Sequence, residues 1–363
     1  MPQHAFNDQN AKHIRLWLLI CAGMVFVMVV LGGATRLTES GLSMVEWQPL
    51  NILPPLSETA WRQEFENYQK YPEFQKVNSW MAVEDFKNIF WLEYIHRLWG
   101  RLIGLVFAIP FFYFVGTRRV QGQFAWTLAG LLVLGGAQGL LGWFMVASGL
   151  VDRPDVSQYR LAAHLVLAFT VYGLLIWVAL GVRPDTEPDK SARYHDTTTV
   201  RLALATALAV LLAVISGAFV AGLNAGLIYN TFPLMDGQMI PDGLYDLSPW
   251  YMNWFENIMT AQFNHRVLGI ALACLVTLMW WRIKQAGHTG QIKFVADCVF
   301  AMAFVQAGLG ITTLLMAVPL PIALAHQTGA LILFTLSVII ACMLRPASSS
   351  TMAQIPMQAS SNT

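Results

Sequence analysis

Long apolar segments alternate along this chain with shorter polar connections. A helix needs roughly 20 apolar residues to cross a bilayer. Eight segments meet that length: 16–35, 92–116, 124–147, 159–181, 200–222, 258–281, 293–317 and 320–343. The pattern therefore predicts an all-α polytopic membrane protein with eight transmembrane helices.

Lys and Arg residues are concentrated in every second connection, which predicts the orientation of the chain. The N-terminal tail and the short inner connections are basic, whereas the long connections 36–91 and 223–257 are not. Both termini are therefore expected in the cytoplasm and the long connections outside. The predicted parts are a tail (1–15), an N-terminal half (16–182), an inner linker (183–199), a C-terminal half (200–343) and a second tail (344–363).

The first outer loop, residues 36–91, contains a short helical pattern. Trp61, Phe65 and Tyr68 recur at intervals of four and three residues behind Ser57, which predicts an amphipathic helix. This helix would lie on the membrane surface or over a site. A surface helix without a role in chemistry fits the pattern equally well.

Composition narrows the class of protein further. Of the 363 residues, 56% are hydrophobic and 12% are charged, whereas about 25% are charged in soluble domains. This difference excludes a soluble globular protein and a disordered one. The net charge of +1 argues against nucleic acid as a partner. The four widely separated cysteines indicate neither a disulfide framework nor a zinc pair.

The two halves of the chain share short motifs in the same order. The matching segments are 33–34 with 217–218, 93–100 with 262–269, 138–142 with 306–310, and 161–164 with 323–326. Since each half has an even number of spans, both halves have the same orientation. The motifs therefore predict a tandem repeat of two four-helix bundles, related by a pseudo-two-fold axis along the membrane normal.

Four histidines lie within the predicted spans, namely His96, His164, His265 and His326. Each begins an even-numbered span, so all four are expected near the outer face, two in each half. Paired imidazoles between helices are typical of a haem held by two axial histidines. A lone intramembrane histidine is more often a helix–helix hydrogen bond or part of a proton relay, but four at matching positions favour haem. Two histidines alone supply fewer ligands than the three or four that zinc sites in proteins use.

Other residues near the histidines have two interpretations each. Gly100 and Gly269 would leave room for a flat macrocycle or allow close helix packing. Gln138 and Gln306 are interpreted as holding helices together, with a contact to a haem edge as the alternative. Three arginines near the outer face would pair with haem propionates or snorkel to water: Arg36, Arg97 and Arg266.

The halves differ at one position that suggests chemistry. Glu93 lies three residues before His96, and its counterpart in the second half is Gln262. A carboxylate inside or near a membrane is costly, and beside a haem it can take up a proton or stabilise positive charge. The N-terminal half is thus predicted to carry the chemistry. The alternative is an ion pair between Glu93 and Arg97 at the water-exposed edge of the span.

These motifs together resemble the haem A synthase family. The resemblance rests on Glu93-x-x-His96-Arg97, Asn264-His265-Arg266, and the segments 33–43 and 229–235, and it extends over residues 16–343. It implies oxidation of the C8 methyl group of haem O to the formyl group of haem A by successive hydroxylations, for cytochrome c oxidase biogenesis. It also implies haem B as cofactor on His265 and His326, haem O on His96 and His164, and Glu93 as the catalytic residue.

Residues 36–91 contain no cysteine. The chain therefore resembles the proteobacterial and mitochondrial branch rather than the members with a cysteine pair in the first outer loop. The resemblance implies haem O synthase and oxidase assembly proteins as partners and leaves a homo-oligomer open. The tail lacks an Arg-rich presequence, which favours the bacterial inner membrane over the mitochondrial one.

Two alternative functions remain at this point. A di-haem transmembrane electron-transfer cytochrome would need haems near opposite faces, whereas all four histidines are expected at one face. A transporter would more often have inverted repeats with broken helices, which the sequence does not indicate.

Overall fold

The computed structural model describes residues 4–46, 53–149, 156–184 and 196–345. Eight helices in these ranges are long and apolar enough to cross a membrane, which confirms the predicted spans. Most of the second tail (344–363) and much of the inner linker (183–199) lie outside the described residues. The helices of the described part are α1 (Asp8–Leu37), α2 (Glu58–Tyr68), α3 (Val83–Gly116), α4 (Gly122–Gly149), α5 (Gln158–Gly181), α6 (Thr197–Gly222), α7 (Asn253–Glu256), α8 (Ile258–Gln285), α9 (Gly290–Leu315) and α10 (Leu320–Leu344).

Two of the long helices begin well before their apolar segments. Helix α1 begins at Asp8 and α3 at Val83, whereas the apolar pattern begins at 16 and 92. The Asn7 side chain accepts a hydrogen bond from the N–H of Asn10 at 2.9 Å and so caps α1. These polar first turns are helical because they are capped and continuous with the span, and hydrophobicity alone does not reveal them.

The segment predicted as a tail is structured from His4 onward. Strand β1 (His4–Phe6) pairs in parallel with β2 (Val182–Pro184), which follows α5 directly. The ring of Phe6 packs on Phe124 of α4, with ring centroids 5.2 Å apart. This short ladder joins the start of α1 to the end of α5, the first and last long helices of the N-terminal half.

Each half has the same order of neighbouring helices. In the first half, α1 and α4 each pack on α3 and α5. In the second half, α6 and α9 each pack on α8 and α10. The halves meet through α1 and α5 on one side and α6 and α10 on the other. The tandem repeat stays a prediction, and this shared order of neighbours supports it.

Close packing and polar contacts hold the halves together. The Phe334 ring of α10 lies against Gly173 of α5, where a Cβ atom would come within 2.9 Å of the ring. The Gln327 amide of α10 donates to the Val29 carbonyl of α1 at 2.7 Å. Such small-residue contacts and interhelical hydrogen bonds are the usual means of joining helices in a membrane.

A proline inside α3 is compensated by a neighbouring helix. Pro110 has no N–H to donate to the carbonyl of Val106, one turn earlier. The indole Nε1 of Trp17 in α1 donates to that carbonyl at 2.8 Å instead. The contact also anchors α1 on α3.

Apolar side chains of the first outer loop pack on the beginning of α3. Helix α2 buries Trp61, Phe65 and Tyr68. Trp61 lies on Phe90, with ring centroids 5.0 Å apart, and the other two rings lie on Phe86 at 5.3 and 5.1 Å. The apolar face of α2 therefore contacts protein rather than lipid. We call α2, the following π-helical turn (Phe74–Asn78) and residues 83–90 the outer cap.

Candidate functional site

The four histidines form two pairs, one in each half. The rings of His265 (α8) and His326 (α10) have centroids 6.4 Å apart and planes at 90°. Two imidazoles that bind one metal ion at nitrogen–metal distances of about 2 Å place their ring centroids roughly 6 Å apart. In the other half, His96 (α3) and His164 (α5) occupy the corresponding positions on their helices. All four residues are partly exposed, so a ligand can reach them.

Each imidazole lies against a glycine of a neighbouring helix. A Cβ atom on Gly310 would come within 2.8 Å of the His326 ring, and one on Gly217 within 3.1 Å of His265. The N-terminal half repeats this arrangement, with His164 on Gly142 at 3.1 Å and His96 on Gly32 at 3.4 Å. The absence of a side chain at these glycines thus fixes how closely the rings approach the backbone.

The two glutamines orient the histidine of each neighbouring helix. Gln306 Nε2 of α9 lies 3.1 Å from His326 Nδ1 and donates to the His326 carbonyl at 2.9 Å. Gln138 Nε2 of α4 lies 3.2 Å from His164 Nδ1 and donates to that residue's carbonyl at 3.1 Å. These contacts cross between helices, as the interpretation of the glutamines as helix connectors requires.

The glycines one turn after the histidines differ between the halves. A Cβ atom on Gly100 would lie 3.2 Å from the side chain of Met28, so close helix packing accounts for this glycine. Around Gly269, no described residue lies within 4 Å of such an atom. Contact with another described residue does not account for Gly269, and a macrocycle beside it stays a prediction.

Glu93 is a buried carboxylate, 2% exposed, that accepts four hydrogen bonds. Its Oε2 accepts from the Ser43 hydroxyl at 2.7 Å and from the Met44 N–H at 2.8 Å. Its Oε1 accepts from Arg97 Nε at 2.9 Å and Nη2 at 2.5 Å. The ion pair with Arg97 is thus present, but at a buried position. Since an ionised carboxylate offers about four lone-pair sites, Glu93 is fully paired as an anion.

Gln262 occupies the corresponding position in the second half and is 3% exposed. Its Oε1 accepts from Arg266 Nη2 at 2.7 Å. Its Nε2 donates to the carbonyls of Ala225 at 2.7 Å and Ile228 at 2.6 Å. Gln262 therefore connects Arg266, one turn later in α8, to the loop that follows α6.

The two loops present opposite polarity to these side chains. The loop after α1 offers two donors, the Ser43 hydroxyl and the Met44 N–H. The loop after α6 offers two carbonyl acceptors. An acid matches the first loop and an amide matches the second. Ser43 belongs to the motif 33–43, but a backbone donor such as Met44 has no signal in the sequence.

The three candidate arginines are placed differently. Arg97 also donates to the Met44 and Glu46 carbonyls at 2.7 and 3.2 Å. Arg36 reaches the second half and donates to the Ala221 carbonyl at 3.2 Å. In the part of the chain that the structure describes, the buried Nε atoms of Arg36 and Arg266 have no acceptor. These two arginines retain a donor for a further ligand.

The donor set limits which metal centre fits. Among the described residues, no group of three or more His, Cys, Asp or Glu side chains is placed to hold a metal ion. A pair of imidazoles with centroids 6.4 Å apart instead fits an iron whose remaining ligands come from a planar macrocycle. The histidine pairs and the glycine contacts are therefore compatible with haem.

Fold and site together define a polytopic membrane protein with paired histidines suited to haem. The chain belongs to the haem A synthase family: the sequence model COX15-CtaA, described as cytochrome oxidase assembly protein, matches residues 15–338. It is 50% identical to heme A synthase of Nitrosospira multiformis over 327 residues, 89% of this chain and 91% of that protein.

Further relatives cover most of the chain as well. Heme A synthase of Parvibaculum lavamentivorans is 48% identical over 333 residues, 92% of this chain and 94% of that protein. Heme A synthase COX15 of Arabidopsis thaliana is 43% identical over 364 residues, 98% of this chain and 80% of that protein. The predicted family is thereby confirmed.

Proposed function

We propose that this protein is a haem A synthase, which oxidises the C8 methyl group of haem O to the formyl group of haem A for cytochrome c oxidase biogenesis. The observation that carries the proposal is the buried, fully paired carboxylate of Glu93, one helical turn before His96. The same position in the other half is the uncharged Gln262. Relatives that share 50% and 43% of their residues with this chain are heme A synthases.

We assign the substrate to the N-terminal half. His96 and His164 would hold the iron of haem O between α3 and α5. Glu93 would stabilise the positive charge that develops at the substrate carbon as electrons leave it, because a fixed anion in a water-poor site acts strongly on developing charge. Since every lone pair of the carboxylate is already used, this electrostatic role fits better than removal of a proton from water.

We assign haem B to the C-terminal half, on His265 and His326. A haem held by two histidines has no open coordination position and supplies electron transfer. The residues of this half bind and orient it: Gly217 and Gly310 set the ring positions, and Gln306 fixes His326. Arg36 and Arg266 are better candidates for propionates than Arg97, whose donors already serve Glu93 and two carbonyls.

The surroundings of the protein follow from the same reasoning. We propose a multi-pass protein of the bacterial plasma membrane, with both termini in the cytoplasm and the outer cap on the opposite side. Haem O would enter laterally from the lipid, because its farnesyl tail is apolar. Haem O synthase and oxidase assembly proteins are the proposed partners.

The test is haem extraction and mass analysis after expression in a host that makes haem O but not haem A. The wild-type protein should yield haem A, and Glu93→Gln should yield none while the resident haem is retained. His265→Ala should lose the resident haem. Glu66→Gln, an exposed change on α2, is the matched control and should behave as wild type.

Two results would contradict the proposal. Haem B alone, without haem A, in a folded protein with a bis-histidine spectrum would favour the electron-transfer cytochrome. Full activity in Glu93→Gln would refute the role of that carboxylate while leaving the reaction itself intact.

A further inference from the structure

The outer cap contains a second buried carboxyl group. Glu73 is 5% exposed and directly precedes the π-helical turn. The Tyr68 hydroxyl is hydrogen-bonded to Glu73 and also accepts a bond from Asn78 Nδ2 at 2.8 Å. Since a hydroxyl has a single proton to donate, the Tyr68 proton is directed at Glu73. A continuous polar chain thus runs through an otherwise aromatic cluster.

One oxygen of the Glu73 carboxyl group is not used by the hydrogen bond to Tyr68. Glu73 Oε2 is buried and has no hydrogen-bond partner among the residues that the structure describes. A buried polar atom without a partner is destabilising and is therefore rare in native proteins. Such an atom indicates a place where water or a transferred proton is accommodated.

The charged groups around Glu73 favour its neutral form. Burial is the main cause that raises its pKa, to about 8, and the carboxylates of Glu93 and Glu39 add to the effect, whereas the Tyr68 hydrogen bond lowers it. Glu93 belongs to α3 and is paired with Arg97, and Glu39 is exposed after the end of α1. Glu73 therefore interacts electrostatically both with the buried acid of the site and with an acid in contact with water, and it can both bind and release a proton near neutral pH.

We propose that Glu73, assisted by Tyr68, is the proton relay of the N-terminal site and passes protons released during haem O oxidation toward Glu39 and the outer water. This inference rests on the proposed function. Conversion of a methyl group to a formyl group breaks two C–H bonds, and the hydrogens must leave the apolar site. Both oxygens of Glu93 already accept two hydrogen bonds each, so a second acceptor outside this arrangement is needed.

The step moves one proton at a time and transfers no electrons. The ionised form of Glu73 accepts a proton from the substrate side, by way of water, and becomes neutral. The neutral form then releases the proton to water near Glu39 and regains its charge. The Tyr68 hydroxyl stabilises the ionised form by donating to it.

The first test is the pH dependence of haem A formation in wild type, Glu73→Gln and the control Glu66→Gln. The wild-type rate should rise with pH and reach half its maximum near pH 8, because only ionised Glu73 accepts protons. Glu73→Gln should be slower by about 10²-fold, the usual contribution of a proton-transferring side chain, and should lack this pH dependence. Glu66→Gln should match wild type.

The second test does not depend on activity. Infrared difference spectra are recorded as the pH is raised over roughly pH 7–9. The wild-type protein should lose the carbonyl band of a protonated carboxyl group, and Glu73→Gln should lack that band. Tyr68→Phe should shift the midpoint to higher pH, since it removes the hydrogen bond that favours the ionised form.

The outcomes separate the relay from the proposed function. A Glu73→Gln protein with the wild-type rate and pH profile would overturn the relay. So would a slower variant whose pH profile is unchanged, because that result indicates a structural role. Absence of haem A from the wild-type protein would instead contradict the proposed function, even if the infrared band titrates as expected.

Discussion

The opposite polarity of the two loops predicts a specific cost for Glu93→Gln. The new amide would turn its oxygen to Arg97, as Gln262 does toward Arg266. Its NH2 group would then face the Ser43 hydroxyl and the Met44 N–H. The hydroxyl can rotate and accept a hydrogen bond, but the N–H cannot. One buried N–H left unpaired costs about 1–3 kcal/mol, and a neutral acceptor for Arg97 instead of an anion costs about 1 kcal/mol more.

Hydrogen exchange of segment 43–46, measured by mass spectrometry, checks this value. A local loss of about 2–4 kcal/mol corresponds to an increase in exchange of roughly 30- to 1,000-fold. Ser43→Ala keeps the charge of Glu93 and its contact with the Met44 N–H and removes only the hydroxyl donor, so its effect should be smaller. Gln262→Glu should loosen residues 225–228 instead, because a carboxylate there faces two carbonyl oxygens. Unchanged exchange of segment 43–46 in Glu93→Gln would refute the reasoning.

Three further predictions concern other parts of the molecule. Gly310→Ala should lower the haem content measured by absorption, because its Cβ atom would come within 2.8 Å of an imidazole, whereas Gly308→Ala meets no described residue and should not. Trp17→Phe leaves the Val106 carbonyl unpaired and should lower stability by about 1–3 kcal/mol, seen as a lower Tm. The raised pKa of Glu73 means that the folded state binds more protons, so stability should fall from its ordinary pKa of 4.5 up to about pH 8, by about 1.4 kcal/mol per pH unit. Thermal unfolding of Glu73→Gln across this range should lack that slope.

The sequence predicts the spans and the histidine pairs better than the ends of the helices. Apolar length is a direct physical requirement of the bilayer, and the eight helices follow it. The first turns of α1 and α3 depend on capping and on continuity with the span. The β1–β2 ladder joins two segments far apart in sequence, which hydrophobicity does not report.

The partners of the site residues were less accessible from the sequence. The difference between Glu93 and Gln262 is visible in aligned halves, but their opposite loop contacts depend on backbone groups. Glu73 is one of several acids in the first outer loop, and its burial results from the aromatic packing of the outer cap. The reach of Arg36 into the second half depends on how α1 lies beside α6.

The difference between Glu93 in one half and Gln262 in the other also constrains how the two halves can change in evolution. If the halves descend from one ancestral unit, the ancestor matched either donors or acceptors at this position, but not both. A single change of side chain creates a mismatch with the loop, and a single change of loop creates the same mismatch with the side chain. Each intermediate is expected to be destabilised, so the two halves would not readily return to a common form. Mutational drift in one half would then leave the proposed assignment of substrate and cofactor unchanged.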